Sequence, residues 1–138
     1  MSEQNKNVIR QLEEAWNANQ LDKVDAFFAP NFVQHSGMPG MTPTIETAKQ
    51  AHSMSLQAMP DRKTSIEEMV AEGDKVSVRI RMTGTNKGGF PWFNIPANGN
   101  SVDIQYISIY GLKDGKVVEH RAIMDVMGLM QQLGALPG

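Results

Sequence analysis

The first half of the chain repeats its apolar residues at helical spacing. Leu12 and Trp16 share one stripe of the first segment, and the charged residues, Glu13 among them, are assigned to the other side, which predicts an amphipathic helix. Pro30 is expected to end a second helix, because the residue before a proline disfavours helical backbone. A hydroxyl cap and a first-turn proline, Thr42-Pro43, are expected to begin a third helix. The predicted segments are helices at 2–19 and 21–29, an extended piece at 31–35, a loop at 36–41 and a helix at 42–58.

From residue 63 onward the apolar period changes to two, which is typical of strands. Val78 and Ile80 fall on one face of the second such segment, whereas Arg79 and Arg81 fall on the other. The predicted segments are strands at 63–71, 75–85, 101–112 and 116–125, a Gly/Pro/Asn-rich stretch at 86–100, and a closing helix at 126–133. Helices followed by hairpin-linked strands predict an α+β fold in which an antiparallel sheet curves around the helices. The 138 residues are expected to form a single domain.

The last hairpin decides which polar residues converge. A three-residue loop with Gly115 in the left-handed conformation pairs Leu112 with Lys116, and this is the interpretation that we favour. A two-residue type I′ loop at Asp114-Gly115 shifts the register by one residue and mixes the two faces of the sheet. The favoured register gives one face Asp103, Gln105, Ile107, Ile109, Glu119, Arg121, Ile123 and Asp125, and the other face Val102, Ile104, Tyr106, Ser108, Tyr110, Val118, His120, Ala122 and Met124.

The charged residues on the first of these faces suggest a partly dry pocket under the helices. Charged and amide side chains stand there among isoleucines, and a buried carboxylate is costly unless it is paired or functional. The second face has too many Val, Ile, Tyr and Met residues to meet water, and three helices are too few to cover both sides. A homodimer formed through this apolar face of the sheet is therefore expected.

Composition narrows the possible functions. The chain has no cysteine, which excludes disulfides, thiolate chemistry and Cys-based metal sites. Its three histidines, His35, His52 and His120, show no metal-ligand spacing, so no metal is expected. The formal charge of −2 gives no electrostatic case for binding nucleic acid or an anionic membrane. No run reaches the ~18 apolar residues of a membrane span, and the N-terminus is polar from the start, so we expect a soluble cytoplasmic protein.

Several short motifs, in order along the chain, resemble one known family. They are FVQH at 32–35, AEGDKVSVR at 71–79, TGT at 83–85, GGF at 88–90, DGKVVEH at 114–120 and DVMGLMQQLG at 125–134. The set is similar to the SnoaL-like polyketide cyclase family and spans nearly the whole chain. The resemblance implies the cone-shaped α+β barrel shared by nuclear transport factor two and ketosteroid isomerase, usually dimeric, with no metal or organic cofactor. Asn86 and Arg121 depart from the pattern, since many relatives have His and Trp there.

The resemblance places the catalytic acid/base of the family, a carboxylate on a late strand, at Glu119. In polyketide cyclases of the family, such a carboxylate takes a proton from a methylene between carbonyls and returns it to the alkoxide of an aldol closure, for which a raised pKa is useful. The partner position falls on Gln105, which keeps a hydrogen-bonding group but not a titratable one. The structural alternative for Glu119 is an ion pair with Arg121 or Arg79.

Two further catalytic candidates are His35 and Asp125. An imidazole titrates near neutral pH, so His35 either acts as a base, orients the substrate or simply contacts loop backbone. Asp125 is a second carboxylate near a strand end, or the cap of the closing helix. His52, in mid-helix, and His120, on the expected dimer face, are weaker candidates. The residues expected to bind the substrate are Gln105, Arg79, Arg121, Trp16, Phe90 and Trp92, the last two in a loop that is expected to cover the cavity mouth.

These residues favour a cofactor-independent enzyme that acts on a small, mostly apolar carbonyl compound as a cyclase, isomerase or lyase. Two alternatives stay open. One is a non-catalytic protein that binds a small ligand in the same cavity. The other is an epoxide hydrolase, which the fold also hosts and which needs an Asp–Arg–Asp set around a water. Asp103, Arg121 and Asp125 share one face in the favoured register and are candidates for that set.

Overall fold

The computed structural model describes residues 2–35 and 44–136 as an α+β fold, which confirms the fold class predicted from the sequence. The helices are α1 (Ser2–Asn17), α2 (Leu21–Val24), α3 (Ile45–Ala58) and α4 (Val126–Gln132). The strands are β1 (Phe28–Gln34), β2 (Lys63–Glu72), β3 (Lys75–Thr85), β4 (Ser101–Lys113) and β5 (Lys116–Met124). Single turns of 3-10 helix occupy Asp25–Phe27 and Pro91–Phe93. Every helix in the two described ranges is too short or too polar to cross a lipid bilayer.

The second helix is shorter than predicted, and the strand after it is longer. After one α-helical turn the chain passes through a 3-10 turn into β1, which begins at Phe28 rather than at residue 31. β1 pairs in parallel with β5, with Phe28 opposite Val117 and Gln34 opposite His120. A helix of two turns has little stability of its own, so pairing with the sheet determines the conformation of this segment.

The long helix α3 begins with a reciprocal cap. The hydroxyl of Thr44, its N-cap, accepts a hydrogen bond from the amide of Thr47, and the hydroxyl of Thr47 accepts one from the amide of Thr44. Two backbone donors that the first helical turn leaves unpaired are thereby satisfied. The predicted cap and first-turn proline, Thr42-Pro43, and the predicted loop at 36–41 lie outside the described residues.

One sheet of five strands, in the order β1-β5-β4-β3-β2, forms the body of the fold. β1 runs parallel to β5, and every other neighbouring pair is antiparallel. The β3–β4 pairing is continuous from Lys75 opposite Gly111 to Thr85 opposite Ser101. Because paired residues share a face, this ladder keeps the alternation of both strands in phase.

The hairpin between β4 and β5 has a two-residue loop, so the favoured three-residue loop is wrong. Asp114 and Gly115 both have positive φ, 52° and 77°, as a type I′ turn requires. The ladder accordingly starts with Lys113 opposite Lys116.

A bulge in β5 restores the predicted faces after that change of loop. Leu112 pairs with Val117, but the next pair is Gly111 with Glu119, so Val118 is an extra residue without a partner in the ladder. Beyond the bulge, odd-numbered residues again face odd-numbered ones. The two faces therefore keep their predicted members except that Val117, rather than Val118, turns into the core.

The helices cover the face that carries the Val, Tyr, Ser and His residues. Val76, Val78 and Ile80 of β3 are fully buried there, and Ile9 and Leu12 of α1 pack in the same cluster. A second buried cluster joins the end of α3 to α4 and to the start of β4. Between the two clusters the inner face of the sheet is free to line a cavity.

The charged face of the sheet is the outer one. Ile107, Ile109 and Ile123 are 48%, 40% and 82% exposed on it. The predicted dry pocket on this face is therefore wrong, and so is the predicted dimer contact through the opposite face, which the helices cover. The physical reason is desolvation, because neutral His, Tyr and Ser side chains are far less costly to bury than guanidinium and carboxylate groups.

Candidate active site

A cavity of about 770 Å³ lies between the helices and the inner face of the sheet. Its wall is mostly apolar and holds the aromatic rings of Trp16, Phe28, Phe90, Trp92, Phe93 and Tyr106. The main polar groups in the wall are Glu13, Gln34, His35, His52, Arg62, Ser108, Tyr110 and His120. An apolar cavity with a few convergent polar groups is the usual form of a small-molecule site. Within residues 2–35 and 44–136, no three His, Cys, Asp or Glu side chains are grouped so that they could hold a metal ion.

Four of the nine predicted site residues lie in this wall. Trp16, His35, Phe90 and Trp92 line the cavity, and Phe90 packs edge-on against Trp92 with 5.3 Å between ring centroids. The expectation that the other five would lie in the pocket is wrong, because the odd-numbered positions of β3, β4 and β5 turn outward and Asp125 caps α4 just after β5. Those five residues are Glu119, Asp125, Gln105, Arg79 and Arg121.

On the outer face, the predicted substrate-binding side chains contact each other. Arg79 donates from Nη1 to Oε1 of Gln105 at 2.8 Å, and its Nε lies 3.4 Å from Oε1 of Glu68. The guanidinium of Arg79 and the side-chain amide of Gln105 were both expected to bind a substrate. They instead form a hydrogen bond with each other on the face opposite the cavity.

The Asp–Arg–Asp set of an epoxide hydrolase is not assembled. Asp103 forms a bidentate ion pair with Arg81, at 2.9 and 2.6 Å, rather than with Arg121. Asp125 accepts a hydrogen bond from the amide of Gly128 at 2.9 Å and caps α4, which is the structural role weighed for it. Among the described residues that line the cavity, none belongs to this set.

Glu119 is held between a lysine and a histidine. Its Oε1 lies 2.6 Å from Nζ of Lys75, and its Oε2 lies 3.1 Å from Nε2 of His35. The hydrogen bond and charge of Lys75, followed by the hydrogen bond of His35, hold the pKa of Glu119 below its usual range. Gly111 makes room for this carboxylate, since a Cβ there would lie 2.6 Å from Cγ of Glu119. Of Glu119, Lys75 and His35, His35 alone lines the cavity, so within the described part of the chain the imidazole connects Glu119 to the cavity contents.

His120 is fixed in the wall by two side chains. Its Nδ1 lies 2.9 Å from Oε1 of Gln34, and its Nε2 lies 2.9 Å from the hydroxyl of Ser108. The ring also stacks on Tyr110, with 4.5 Å between centroids. Burial lowers the pKa of His120 to about 4, so the ring is neutral at neutral pH. A neutral ring that donates from Nδ1 to the amide oxygen of Gln34 accepts from Ser108 at Nε2.

A second set of polar groups, here called the buried polar cluster, consists of Glu13, His52, Arg62, Tyr106 and Tyr110. Glu13 and His52 are only 7% and 8% exposed. Burial raises the pKa of Glu13, although a hydrogen bond from Thr64, the charge of Arg62 and a hydrogen bond from Tyr110 each act to lower it. Burial also raises the pKa of both tyrosines. The cavity wall therefore contains a carboxyl group that holds its proton more tightly than a carboxyl in water does.

The assignment of Glu13 to the polar side of the first helix is wrong. Position 13 lies four residues after Ile9 and three before Trp16, a spacing that puts it on the apolar stripe. His120 was treated as a weak candidate because it lay on the expected dimer face, although the favoured register had correctly placed it on the same face as Tyr110. Arg62 lies outside any periodic segment, so no local pattern in the sequence indicates that it lines the cavity.

Solved structures of the same fold share about a quarter of the sequence. AclR of Streptomyces galilaeus, described as a candidate hydroxylase, is 26% identical, with a TM-score of 0.88 over 100% of this chain and 89% of its own. A SnoaL-like candidate polyketide cyclase from Jannaschia sp. CCS1 is 27% identical, with a TM-score of 0.83 over 99% of this chain and 96% of its own. IdmH of Streptomyces antibioticus, a candidate polyketide cyclase, is 25% identical, with a TM-score of 0.83 over 94% and 98%.

The family assignment rests on the sequence as well as on the fold. No curated protein matches the sequence. The model of the SnoaL-like polyketide cyclase family, however, matches residues 6–133, which is nearly the whole chain. The cone-shaped arrangement of helices on a curved sheet is that of the structural neighbours. The chain therefore belongs to the SnoaL-like polyketide cyclase family.

Proposed function

We propose that the protein is a cofactor-independent enzyme that moves protons on a small, mostly apolar carbonyl compound, as an aldol-type cyclase, isomerase or lyase. The observation that carries this proposal is the pairing of His35 with Glu119, because it joins an imidazole of the cavity wall to an ionised carboxylate. Imidazole is the side chain best suited to exchange protons near neutral pH. The description of several structural neighbours as cyclases supports the aldol-type reaction.

In the proposed mechanism His35 is the catalytic residue and Glu119 positions it. Glu119, kept ionised by Lys75, accepts a hydrogen bond from Nε2–H of His35 and stabilises the imidazolium that forms when Nδ1 gains a proton. Nδ1 then takes a proton from a methylene between two carbonyls. The enolate carbon attacks another carbonyl of the same molecule, and the proton on Nδ1 passes to the new alkoxide. One carbon–carbon bond forms, and the reaction needs neither an oxidant nor a reductant.

The experiment follows proton exchange, which requires no knowledge of the natural substrate. Benzoylacetone, an apolar 1,3-diketone, exchanges its central protons in D2O, and the wild-type protein should accelerate this exchange. General acid–base catalysis contributes roughly 10²–10⁴-fold, so His35→Gln should lower the protein-dependent rate at least about 100-fold. Glu119→Gln should lower the rate less and change its pH profile. Arg81→Gln, which alters an ion pair of the outer face, is the matched control and should leave the rate unchanged. Undiminished exchange in His35→Gln would remove the assignment.

A non-catalytic ligand-binding protein is the second candidate. It is favoured by His120, whose two ring nitrogens already have partners in Gln34 and Ser108, an arrangement that fixes the ring rather than freeing it for proton transfer. Quenching of tryptophan fluorescence by benzoylacetone without any acceleration of exchange in the wild-type protein would favour this candidate over the enzyme.

We also propose that two copies associate through the outer face of the sheet. Ile107, Ile109 and Ile123 are exposed there beside charged groups of both signs, and a two-fold axis can bring such a face into contact with itself. Ile109→Lys should shift the sedimentation coefficient from dimer to monomer, whereas Gln11→Lys on the exposed side of α1 should not. A wild-type protein that sediments as a monomer at all micromolar concentrations would exclude the dimer.

A further inference from the structure

Two buried nitrogen atoms of the cavity wall have no hydrogen-bond partner among the described residues. They are Nε2 of His52 and Nε of Arg62. Both residues line the cavity, and His52 is more than nine-tenths buried. Buried polar groups in native proteins are nearly always paired, so an unpaired one requires an explanation. Two of them in the wall of one cavity indicate a ligand that supplies the missing partners.

The orphaned atom of Arg62 is a donor in every state. A guanidinium has five N–H groups, no acceptor, and no accessible neutral form. The side chain also forms a hydrogen bond with Tyr106, and its buried Nε–H still needs an acceptor.

The orphaned atom of His52 is an acceptor. Burial, followed by the nearby charge of Arg62, lowers the pKa of His52 to about 4, so the ring carries a single proton at neutral pH. The ring donates that proton to the backbone of Trp16, and it packs against the Trp16 indole with 4.8 Å between ring centroids. Since Nε2 is the nitrogen without a partner, Nδ1 holds the proton and Nε2 presents a lone pair.

We propose that His52 and Arg62 form a binding site for one hydroxyl group, phenolic or enolic, of a planar aromatic ligand. A hydroxyl oxygen accepts from Nε–H of Arg62 while its proton is donated to Nε2 of His52, so one group satisfies both atoms. An ether or a ketone accepts only, and leaves His52 unpaired. A carboxylate also accepts only, although it gains more from the charge of Arg62.

The aromatic rings of the wall supply the rest of the recognition. The Trp16 ring lies beside His52, and Phe90, Trp92 and Phe93 contact one another around a further part of the wall. Flat rings stack on such side chains with little loss of conformational entropy. This inference rests on the proposed function only in taking the cavity as the substrate site, and it deepens that proposal by naming the group that orients the substrate.

A series of four naphthalenes tests the inference on the wild-type protein alone. Naphthalene, 2-methoxynaphthalene, 2-naphthol and 2-naphthoate have the same ring system and differ in the group presented to the two nitrogens. We expect calorimetry at pH 7 to give a dissociation constant for 2-naphthol at least about tenfold below that of 2-methoxynaphthalene, because a tenfold preference corresponds to one well-made hydrogen bond. Naphthalene should bind more weakly still. Because no residue is changed, the result does not depend on a variant that folds.

Two variants then assign the preference to the two residues. His52→Phe keeps an aromatic ring and should abolish the preference for 2-naphthol over 2-methoxynaphthalene. Arg62→Met should weaken both ligands, since each accepts from the guanidinium. Arg81→Met is the matched control, because it removes an arginine from the outer face and should leave all four constants unchanged. A long-range ¹H–¹⁵N spectrum of the wild type should show Nε2 of His52 moving to a hydrogen-bonded shift when 2-naphthol is added.

Each alternative result overturns the inference in a different way. Tighter binding of 2-naphthoate than of 2-naphthol would make the site a carboxylate site. Equal binding of all four ligands, or none detectable at millimolar concentration, would show that the two nitrogens recognise nothing. Binding does not require turnover, so His35→Gln should keep the preference for 2-naphthol. The hydroxyl site and the proposed catalysis can therefore fail separately.

Discussion

The inner and outer faces of the sheet are built from alternate residues of the same strands, yet they treat polar groups in opposite ways. On the outer face charges persist in ion pairs, such as Arg81 with Asp103 and Lys75 with Glu119. On the inner face burial suppresses charge. It lowers the pKa of His120 to about 4, and on the helix α1 that covers this face it raises the pKa of Glu13.

This difference shows that a charged residue in a strand does not reliably indicate which face of the sheet lines a cavity. A salt bridge at the surface remains in water and contributes little to stability. A group that lines a cavity loses solvation, and its favoured state is the neutral one. Neutral His and Tyr residues at alternating positions are therefore the better sign of a cavity-lining face. A charged group such as Glu119 acts on the cavity through a neighbouring side chain, here His35.

The largest expected effect is the loss of a buried isoleucine from the inner face. Ile80→Ala should lower the free energy of unfolding by about 3 kcal/mol, because Ile80 is fully buried and the cavity left behind adds to the lost transfer energy. Ile123→Ala, the same change at an 82% exposed position of the outer face, should change it by less than about 0.5 kcal/mol. Urea unfolding of both variants measures the two values. Equal losses would mean that both faces are buried.

The next effect concerns His120 and depends on pH. The pKa of His120 in the folded protein, about 4, lies below the ordinary value of 6.5. Between these two pH values the unfolded chain is protonated at this ring and the folded chain is not. Stability from the neutral ring is complete above pH 6.5 and is lost as the pH falls towards 4. At 1.36 kcal/mol per pH unit, the loss amounts to about 3 kcal/mol. The difference in unfolding free energy between wild type and His120→Gln should narrow by this amount from pH 7 to pH 4. If the difference in unfolding free energy did not change with pH, the His120 ring would be exposed to water.

The alternation of the strands predicts which residues share a face but not which face the helices cover. Period two divides each strand into two sets, and the bulge at Val118 preserved that division by adding one residue to β5. The choice between the faces depends on the total cost of desolvation, which no single strand reveals. The number of charged residues on each face does predict which face points outward, since Arg79, Arg81 and Arg121 all lie on the outer face.

The candidate site was only partly predictable because its parts come from distant segments. His35 and Trp16 stand in recognisable local patterns, and both line the cavity. The charge of Arg62 acts on Glu13 because α1 packs against β2 and β3. This proximity is a property of the tertiary fold, and a local sequence pattern does not reveal it. A polar residue on an apolar stripe, as at position 13, is nevertheless a usable sign.

A smaller pair of effects should have opposite signs for Glu13, which is buried in the cavity wall, and for Asp103 on the outer face. Burial raises the folded pKa of Glu13 above 4.5, so its contribution to stability falls as the pH rises through that range, with a limiting slope of about 1.4 kcal/mol per pH unit. The side chain introduced by Glu13→Gln cannot ionise, so the free energy of unfolding of this variant should increase relative to that of wild type as the pH rises above 4.5. The Arg81 ion pair lowers the folded pKa of Asp103 below 3.8, so Asp103→Asn should lose stability relative to wild type above pH 3.8, and this loss should shrink at lower pH. Urea unfolding from pH 3 to pH 8 measures both trends. If the stabilities of both variants relative to wild type changed in the same direction with pH, burial and the surface ion pair would not have opposite effects on ionisation.

The smallest effect on stability is expected at Lys75, where it isolates the electrostatics of the outer face. Lys75 is more than half exposed, and water and salt screen its charge, so Lys75→Gln should leave the unfolding transition almost unchanged. The same variant should raise the pKa of Glu119 towards its ordinary value, because Lys75 is the largest cause of its depression. A ¹³C titration of the Glu119 carboxyl measures this change, and Lys113→Gln on the same hairpin serves as the control. If the Glu119 carboxyl titrates identically in both variants, the carboxylate is not held by Lys75, and its positioning of His35 then has no electrostatic support from this face.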